Sequence, residues 1–464
     1  MNAPDHAARR RALADRVSAP ILLVSNGPRA RNLPMNQVPF RADSTFLYFT
    51  GCDEPGAAAL IVGDACTLFL TPPEPDDALW HGEVEPLVER GRRLGVDAVR
   101  PLGELDVACA PLRGRLVSLA VPDVAQTALA ARLTGLDLRY PSRPGPDVLV
   151  DAVIALRRTR DAWELDQMRR GAAVARAAHV AAMRATRPGG HEREIAALFD
   201  AVLAANGAQP SYQSIVTVRG EVLHNQRYVN HLEAGQLLLL DGGGELASGL
   251  ATDVTRTWPV SGRFDARQRD VYQLVLDTNV AAIARVRAGV RYRDVHFGAM
   301  RRIAEGLRDL GLLKVGPDLA VESGAVGLFF PHGVGHLIGL DVHDLENFGD
   351  RPAYAPGRAR PAQFGARSLR LDLDLEADTV VTIEPGVYFV PAILRDPALR
   401  AAHAAHVDFD AAERWLGFGG IRVEDDVRVT MGDPEVLTAA IPKDVDALEA
   451  IVGTGPSAAE RLSA

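Results

Sequence analysis

Short apolar runs alternate with polar, helix-favouring stretches through the first third of the chain. APILLVSN, AAALIVG, CTLFLTP and RLVSLAVPD read as strands, and EPLVERGRRLG reads as a helix between the last two. Strands alternating with helices predict an α/β layer over residues 1–155. No acid–base cluster converges there, which assigns this part a scaffolding or substrate-gating role. The pattern then changes. In RTRDAWELDQMRRGAAVARAAHVAAMRATRPGG, Asp161 can cap a helix and Glu164, three residues later, completes a capping box. The alanine-rich run favours helix and RPGG ends it. Further helices are expected in REIAALFDAVLAANG and in DARQRDVYQLVLDTNVAAIARVRAG, where Val271, Leu274 and Val275 share a face. Helices thus precede each of two strand-rich regions, 236–261 and 379–431, an order that hints at internal duplication. The expected fold class is α+β: an N-terminal α/β domain over 1–155, a mixed domain over 156–450 and a C-terminal tail over 451–464. The segment GDRPAYAPGRARPAQFGARS reads as a long surface loop.

Composition narrows the picture. A chain of 464 residues favours two domains, and 47% hydrophobic with 24% charged residues is ordinary for a soluble globular protein. A formal net charge of −9 gives no basic footprint for nucleic acid. Lys314 and Lys443 are the only lysines, an arginine bias that reflects genome composition more than specific recognition. Cys52, Cys66 and Cys109 lack metal-finger spacing, and their odd, sparse count points to a reducing compartment and to buried apolar roles. The first residues carry no apolar run of signal-peptide length, and no segment approaches a membrane span. A cytoplasmic protein without membrane or nucleic-acid partners is expected.

The chemistry shows where strands should be apolar and are not. Asp241 in QLLLLDGGG, Asp253 in ATDVTRTWPV, Glu384 in TVVTIEPGVYF and Glu424 in GGIRVEDDVRVT each place an acid amid apolar neighbours. A carboxylate buried alone costs several kcal/mol or stays protonated. Arginines such as Arg256 or Arg422 could compensate one or two, whereas a divalent cation, or a pair, would compensate all four. The segment FFPHGVGHLIGLDVHD adds His332, His336 and His343. His332 and His336 stand four apart, yet no glutamate lies between them and glycines disfavour a helix, so a zincin motif is rejected. DGGGELASG lacks the Lys-Ser/Thr of a phosphate loop and reads as a hairpin turn. No G-x-S-x-G elbow supports a serine nucleophile. Oxygen ligands with one imidazole suit Mn²⁺, Co²⁺ or Zn²⁺ in a two-metal centre.

These motifs, in this order, resemble the metallopeptidases of the pita-bread fold, the relatives of methionine aminopeptidase, aminopeptidase P and prolidase. FRADSTFLYFTGCDEPGAAALIV resembles the N-terminal domain of the latter two. The resemblance implies a C-terminal pita-bread metallopeptidase domain holding two divalent metal ions, Mn²⁺ first, with Co²⁺ or Zn²⁺ accepting the same ligands. It implies that Asp253 and Glu424 bridge the ions, that Asp241 completes one, and that His336 and Glu384 complete the other. Glu384 would also relay the proton from the attacking water to the leaving prolyl nitrogen. His224, in EVLHNQ, and His343 would contact substrate and steady the tetrahedral intermediate. His332 would line the pocket, and Arg422 would orient acids at its substrate side. One spacing departs: eleven residues separate Asp241 from Asp253, one more than in close relatives. A longer turn keeps both acids on one face, whereas a register slip would turn Asp241 away.

Substrate length is read from ARSLRLDLDLEADTVVTIEPGVYF, which resembles the prolidase branch. There an arginine fourteen residues before the glutamate, here Arg370, binds the substrate's terminal carboxylate. The implied function is hydrolysis of the bond preceding proline in Xaa-Pro dipeptides, with a small peptide bearing proline second as the partner molecule. The alternative is an Xaa-Pro aminopeptidase acting on longer peptides. A creatinase-like enzyme and a catalytically silent binding module are disfavoured by the intact acids and the missing basic patch. The resemblance also implies a homodimer.

Overall fold

The computed structural model describes residues 4–463 apart from 75 and 84. The chain divides into two units: Met1–Thr159 with Leu345–Pro352, and Arg160–Asp344 with Ala353–Ala464. In the first, β1 (Ile21–Val24), β2 (Ala58–Val62), β3 (Ala65–Leu70), β4 (Ala98–Pro101) and β5 (Val117–Ser118) form one sheet in the order β4-β3-β2-β1-β5. β2 runs antiparallel to β1 and β3, while β4 and β5 join parallel at the edges. The expected helix spans Leu87–Leu94, and Gly95, at φ +61°, ends it in the left-handed conformation that glycine adopts without strain. β4 escapes the sequence reading because AVRP has too little apolar character to stand out. Leu22, Val24, Leu60 and Phe69 pack with Leu105, Ala130 and Leu133 into this unit's core, and all three cysteines are buried and free.

Part of the stretch read as a surface loop returns to this unit. Phe348, just before that stretch, is buried, and Arg351 within it grips the helix Asp147–Arg157 through Asp147 and Asp151, with Nε 2.6 Å from Asp151 Oδ1. Its polar, proline-rich composition hides that anchoring. Tyr354, in the second unit, is likewise buried and donates to Leu369 O at 2.6 Å.

The second unit opens with the helix Ala162–Ala185, and the Asp161–Glu164 capping box forms as expected. The helix Glu192–Ala205 follows, then β6 (Ala208–Pro210), β7 (Ile215–Thr217), β8 (Leu237–Asp241), β9 (Gly244–Leu246) and β10 (Thr255–Pro259). Two more long helices, Ala266–Ile283 and Tyr292–Asp309, precede β11 (Val380–Ile383), β12 (Gly386–Tyr388), β13 (Gly420–Arg422), β14 (Asp425–Arg428) and β15 (Glu435–Val436). Each helix pair is therefore followed by a three-stranded sheet, β10-β8-β7 and β11-β14-β15. The strands β8, β10 and β11 are buried throughout, so helices and strands share one large apolar core.

Two sequence expectations change here. The residues after Asp241 do not make a simple hairpin turn. β9 leaves to pair with β6, and this excursion absorbs the extra residue before Asp253. The C-terminal tail expected from residue 451 is anchored to the unit at several of its described residues. Gly453 N and Gly455 N donate to Met183 O and Arg184 O at the end of the first helix, and the short helix Ala458–Leu462 buries Ala458. Arg256 compensates Asp425 rather than one of the four strand acids. Its Nη2 lies 2.8 Å from Asp425 Oδ1 and 3.1 Å from Ile441 O, and Lys443 Nζ reaches the second Asp425 oxygen at 2.7 Å. Among the described residues no helix is long and apolar enough to cross a membrane.

Breaking one partner of a buried ion pair leaves the other charge uncompensated, a loss of about 3–5 kcal/mol. Arg256→Leu is therefore expected to lower the urea midpoint of unfolding by a corresponding amount. An unchanged midpoint would show that Lys443 alone suffices for Asp425.

Candidate metal centre

Four strand ends of the second unit deliver four carboxylates. Asp241 closes β8, Asp253 lies just before β10, Glu384 follows β11, and Glu424 sits between β13 and β14. Antiparallel pairing sets Asp241 opposite Thr255. Glu424 N donates to Thr255 O at 3.0 Å, and Glu384 N to Val334 O at 2.8 Å. His336 arrives on the glycine-rich segment, its N donating to Thr382 Oγ1 at 3.1 Å and its O accepting from Thr382 N at 2.9 Å. A Cβ at Gly335 would strike the Thr382 carbonyl and the Tyr292 hydroxyl, so only glycine lets the segment lie this close to β11. His224 hangs from a turn whose Gly220 meets Gly420 backbone to backbone, again without room for a Cβ.

All ten residues singled out in the sequence line one cavity of about 770 Å³: Asp241, Asp253, Glu384, Glu424, His224, His332, His336, His343, Arg370 and Arg422. Ligand atoms of Asp253, His336 and Glu424 lie within 4.8 Å of one another. His336 Nε2 is 3.5 Å from Asp253 Oδ2 and 3.8 Å from Glu384 Oε1. The Tyr212 hydroxyl bridges Asp241, at 2.5 Å, and Asp253, so the longer spacing leaves both acids on one side.

The charges explain what the cavity attracts. Burial, with Asp253, Glu384 and Asp241 adding to it, pushes the Glu424 carboxyl well above the usual range. Burial also raises Asp241, against the pull of Arg422, and carries Glu384 up to about 7. Burial alone would push His336 down. Its hydrogen bond with Asp253 and the charge of Glu384 instead raise it to about 9. The acids thus draw positive charge onto the one imidazole among them, and the same field draws a cation. The donor set fits a divalent ion: hard carboxylate oxygens with one imidazole, whose Nδ1 lies 3.0 Å from Leu337 O and leaves Nε2 toward the acids.

Several supporting residues escape the sequence reading. Arg422 spends its guanidinium on Asp241 Oδ2 at 2.5 Å, Thr255 Oγ1 at 2.9 Å and the Tyr388 hydroxyl at 2.9 Å. Thr255 in turn donates to Glu424 Oε2 at 2.7 Å. Both ring nitrogens of His332 have partners, Gly333 O at 2.8 Å and the Tyr388 hydroxyl at 2.9 Å. Burial pushes His332 and His343 down to about 3, Arg422 adding to the first and His336 to the second, so both rings are neutral. Tyr212, Thr255 and Tyr388 sit in ordinary-looking strand or turn sequence, and only their contacts reveal them. Arg360 and Arg367, on the stretch read as a loop, also line the cavity.

Comparison with known proteins follows the same outline. The model of metallopeptidase family M24 matches residues 166–431, and that of the aminopeptidase P N-terminal domain matches residues 6–115. A relative in Botryotinia fuckeliana, named probable Xaa-Pro aminopeptidase pepP, is 32% identical over 421 residues, 89% of this chain and 88% of its own. The structure of Pseudomonas aeruginosa aminopeptidase PepP superposes with a TM-score of 0.81 at 28% identity, covering 97% of this chain and 98% of that one. Zn-substituted Escherichia coli aminopeptidase P in complex with product gives 0.79 at 26% identity, with 96% and 97% covered.

Residues that orient metal ligands typically contribute about 10- to 100-fold to metal affinity. Tyr212→Phe, which removes the hydroxyl shared by Asp241 and Asp253, is expected to weaken Mn²⁺ binding by about that factor in calorimetric titration. Undiminished affinity would remove Tyr212 from the support of the acids.

Proposed function

Because the chain belongs to metallopeptidase family M24, we propose that it is an Xaa-Pro aminopeptidase, releasing the first residue of peptides that carry proline second. The observation that carries this reading is the cavity itself. The acid cluster lines a space of about 770 Å³, of which a dipeptide and the metal ions fill only a fraction. The names of the relatives agree, since they are called probable Xaa-Pro aminopeptidases.

In this reading Asp241, Asp253, His336, Glu384 and Glu424 would hold two divalent ions. Bound cations supply Lewis acidity toward the scissile carbonyl and the attacking water. Glu384, whose carboxyl is carried by burial up to about 7, is suited to take the water's proton and pass it to the prolyl nitrogen. His343, neutral and edge-on to His336 at a centroid distance of 4.4 Å, donates one N–H toward the developing oxyanion, with His224 beside it. His332, Tyr388 and Arg422 form a chain that keeps Asp241 aimed into the cavity.

The dipeptidase preference expected from the sequence becomes the second reading. Arg370, in the cavity wall, favours it, because a guanidinium beside the proline ring would clamp a dipeptide's free carboxylate.

Chelation is expected to abolish hydrolysis of Ala-Pro-Ala, and added Mn²⁺ to restore it. Activity that survives exhaustive chelation would sink the metallopeptidase mechanism. With Mn²⁺ present, Ala-Pro-Ala is expected to be cleaved faster than Ala-Pro. If Ala-Pro is the faster substrate and Arg370→Ala removes that advantage, the dipeptidase reading replaces the aminopeptidase one.

A further inference from the structure

We propose that Arg367 makes the enzyme prefer peptides with an acidic residue directly after the proline, a preference that rests on the aminopeptidase reading above. The cavity is lined by two chemically opposed sets of residues. Its acids all belong to the metal centre, while Arg360, Arg367 and Arg370 follow one another along one stretch of chain. Cations held by the acids cancel their charge, so the arginines set the field that the rest of a bound peptide meets.

Within this wall Arg367 has its charge to spare. Arg358, on the same stretch of chain, is taken up by Asp372 and Asp374, and Arg291 by Asp372. Arg367 forms no ion pair among the described residues. Its guanidinium carbon lies 5.1 Å from the centre of the Phe364 ring. A guanidinium that is near an aromatic ring and without an ion-pair partner can receive a carboxylate in bidentate fashion.

Position along the substrate follows from exposure. Arg370 is half-buried and its charge is felt at His332 and His343, beside the metal centre. Arg367 is exposed, and its main-chain N is tied to Gln363 O at 2.8 Å in the turn Ala366–Ser368. A peptide whose scissile bond lies at the acids and whose proline passes His343 and Arg370 carries its third residue outward, to Arg367.

The test compares Ala-Pro-Asp-amide with Ala-Pro-Asn-amide on the Mn²⁺-loaded enzyme. The two are nearly isosteric, and the blocked terminus leaves the aspartate side chain as the only added charge. An exposed charge pair corresponds to about a two- to five-fold higher kcat/KM for the aspartyl peptide. The preference is expected to shrink at high salt, to fall to unity in Arg367→Ala and to persist in part in Arg367→Lys. Equal kcat/KM for the two peptides in the wild type, or a preference undiminished in Arg367→Ala, would overturn the proposal. Cleavage of Ala-Pro without cleavage of either amide is a separate outcome. It would overturn the aminopeptidase reading and, with it, any selection at a third residue.

Discussion

The mutual repulsion of four carboxylates, three buried and one half-buried, is the constraint around which the second unit is arranged. Two unit charges about 4 Å apart near a protein surface interact by about 4 kcal/mol, so four acids in one cavity need several compensations at once. The fold supplies them in layers. Arg422 sets a full charge against Asp241, the Tyr212 hydroxyl is shared by Asp241 and Asp253, the Thr255 hydroxyl donates to Glu424, and without a metal ion the field of Asp253 and Glu384 favours a proton on His336. What remains uncompensated is matched by a divalent cation, which couples metal binding to the stability of the unit.

That arrangement divides labour between rigid and variable parts. The acids stand at ends of buried strands, where main-chain pairing fixes them, and the glycines at 220, 335 and 420 allow the histidine-bearing segments to lie against those strands. The arginine wall belongs instead to a connection with little regular structure, between Gly357 and Leu371. In the proposed reading the scaffold would carry the chemistry and the connection the selectivity.

How much of this was legible in the sequence depended on whether a residue violated its surroundings. Asp241, Asp253, Glu384 and Glu424 did, because an acid within an apolar strand has no cheap solution, and the structure gathers all four. The main helices were legible from caps and apolar faces, as at Asp161 and Val271. Tyr212, Thr255 and Tyr388 violate nothing locally, so their part in holding the acids depends on neighbours distant in the chain. Arg256 and Arg422 look alike in sequence, each within an apolar strand. Only the three-dimensional pairing sends one to Asp425 and the other to Asp241. The anchoring of the C-terminal tail is not legible, because its small and polar residues conceal two main-chain bonds to the first helix of the unit.

The return of the chain to the first unit at Leu345–Pro352 bears on how such a protein can be inherited. The polypeptide passes between the units three times, at 159–160, 344–345 and 352–353. A fragment ending at residue 159 would lose the Arg351 clasp on Asp147 and Asp151, and a fragment beginning at 160 would carry Phe348 without its own unit to bury it. A single genetic cut cannot part the two cleanly. Exchange of the N-terminal unit between relatives would therefore demand a matching change nearly two hundred residues downstream, which favours descent of the pair as one recombination block.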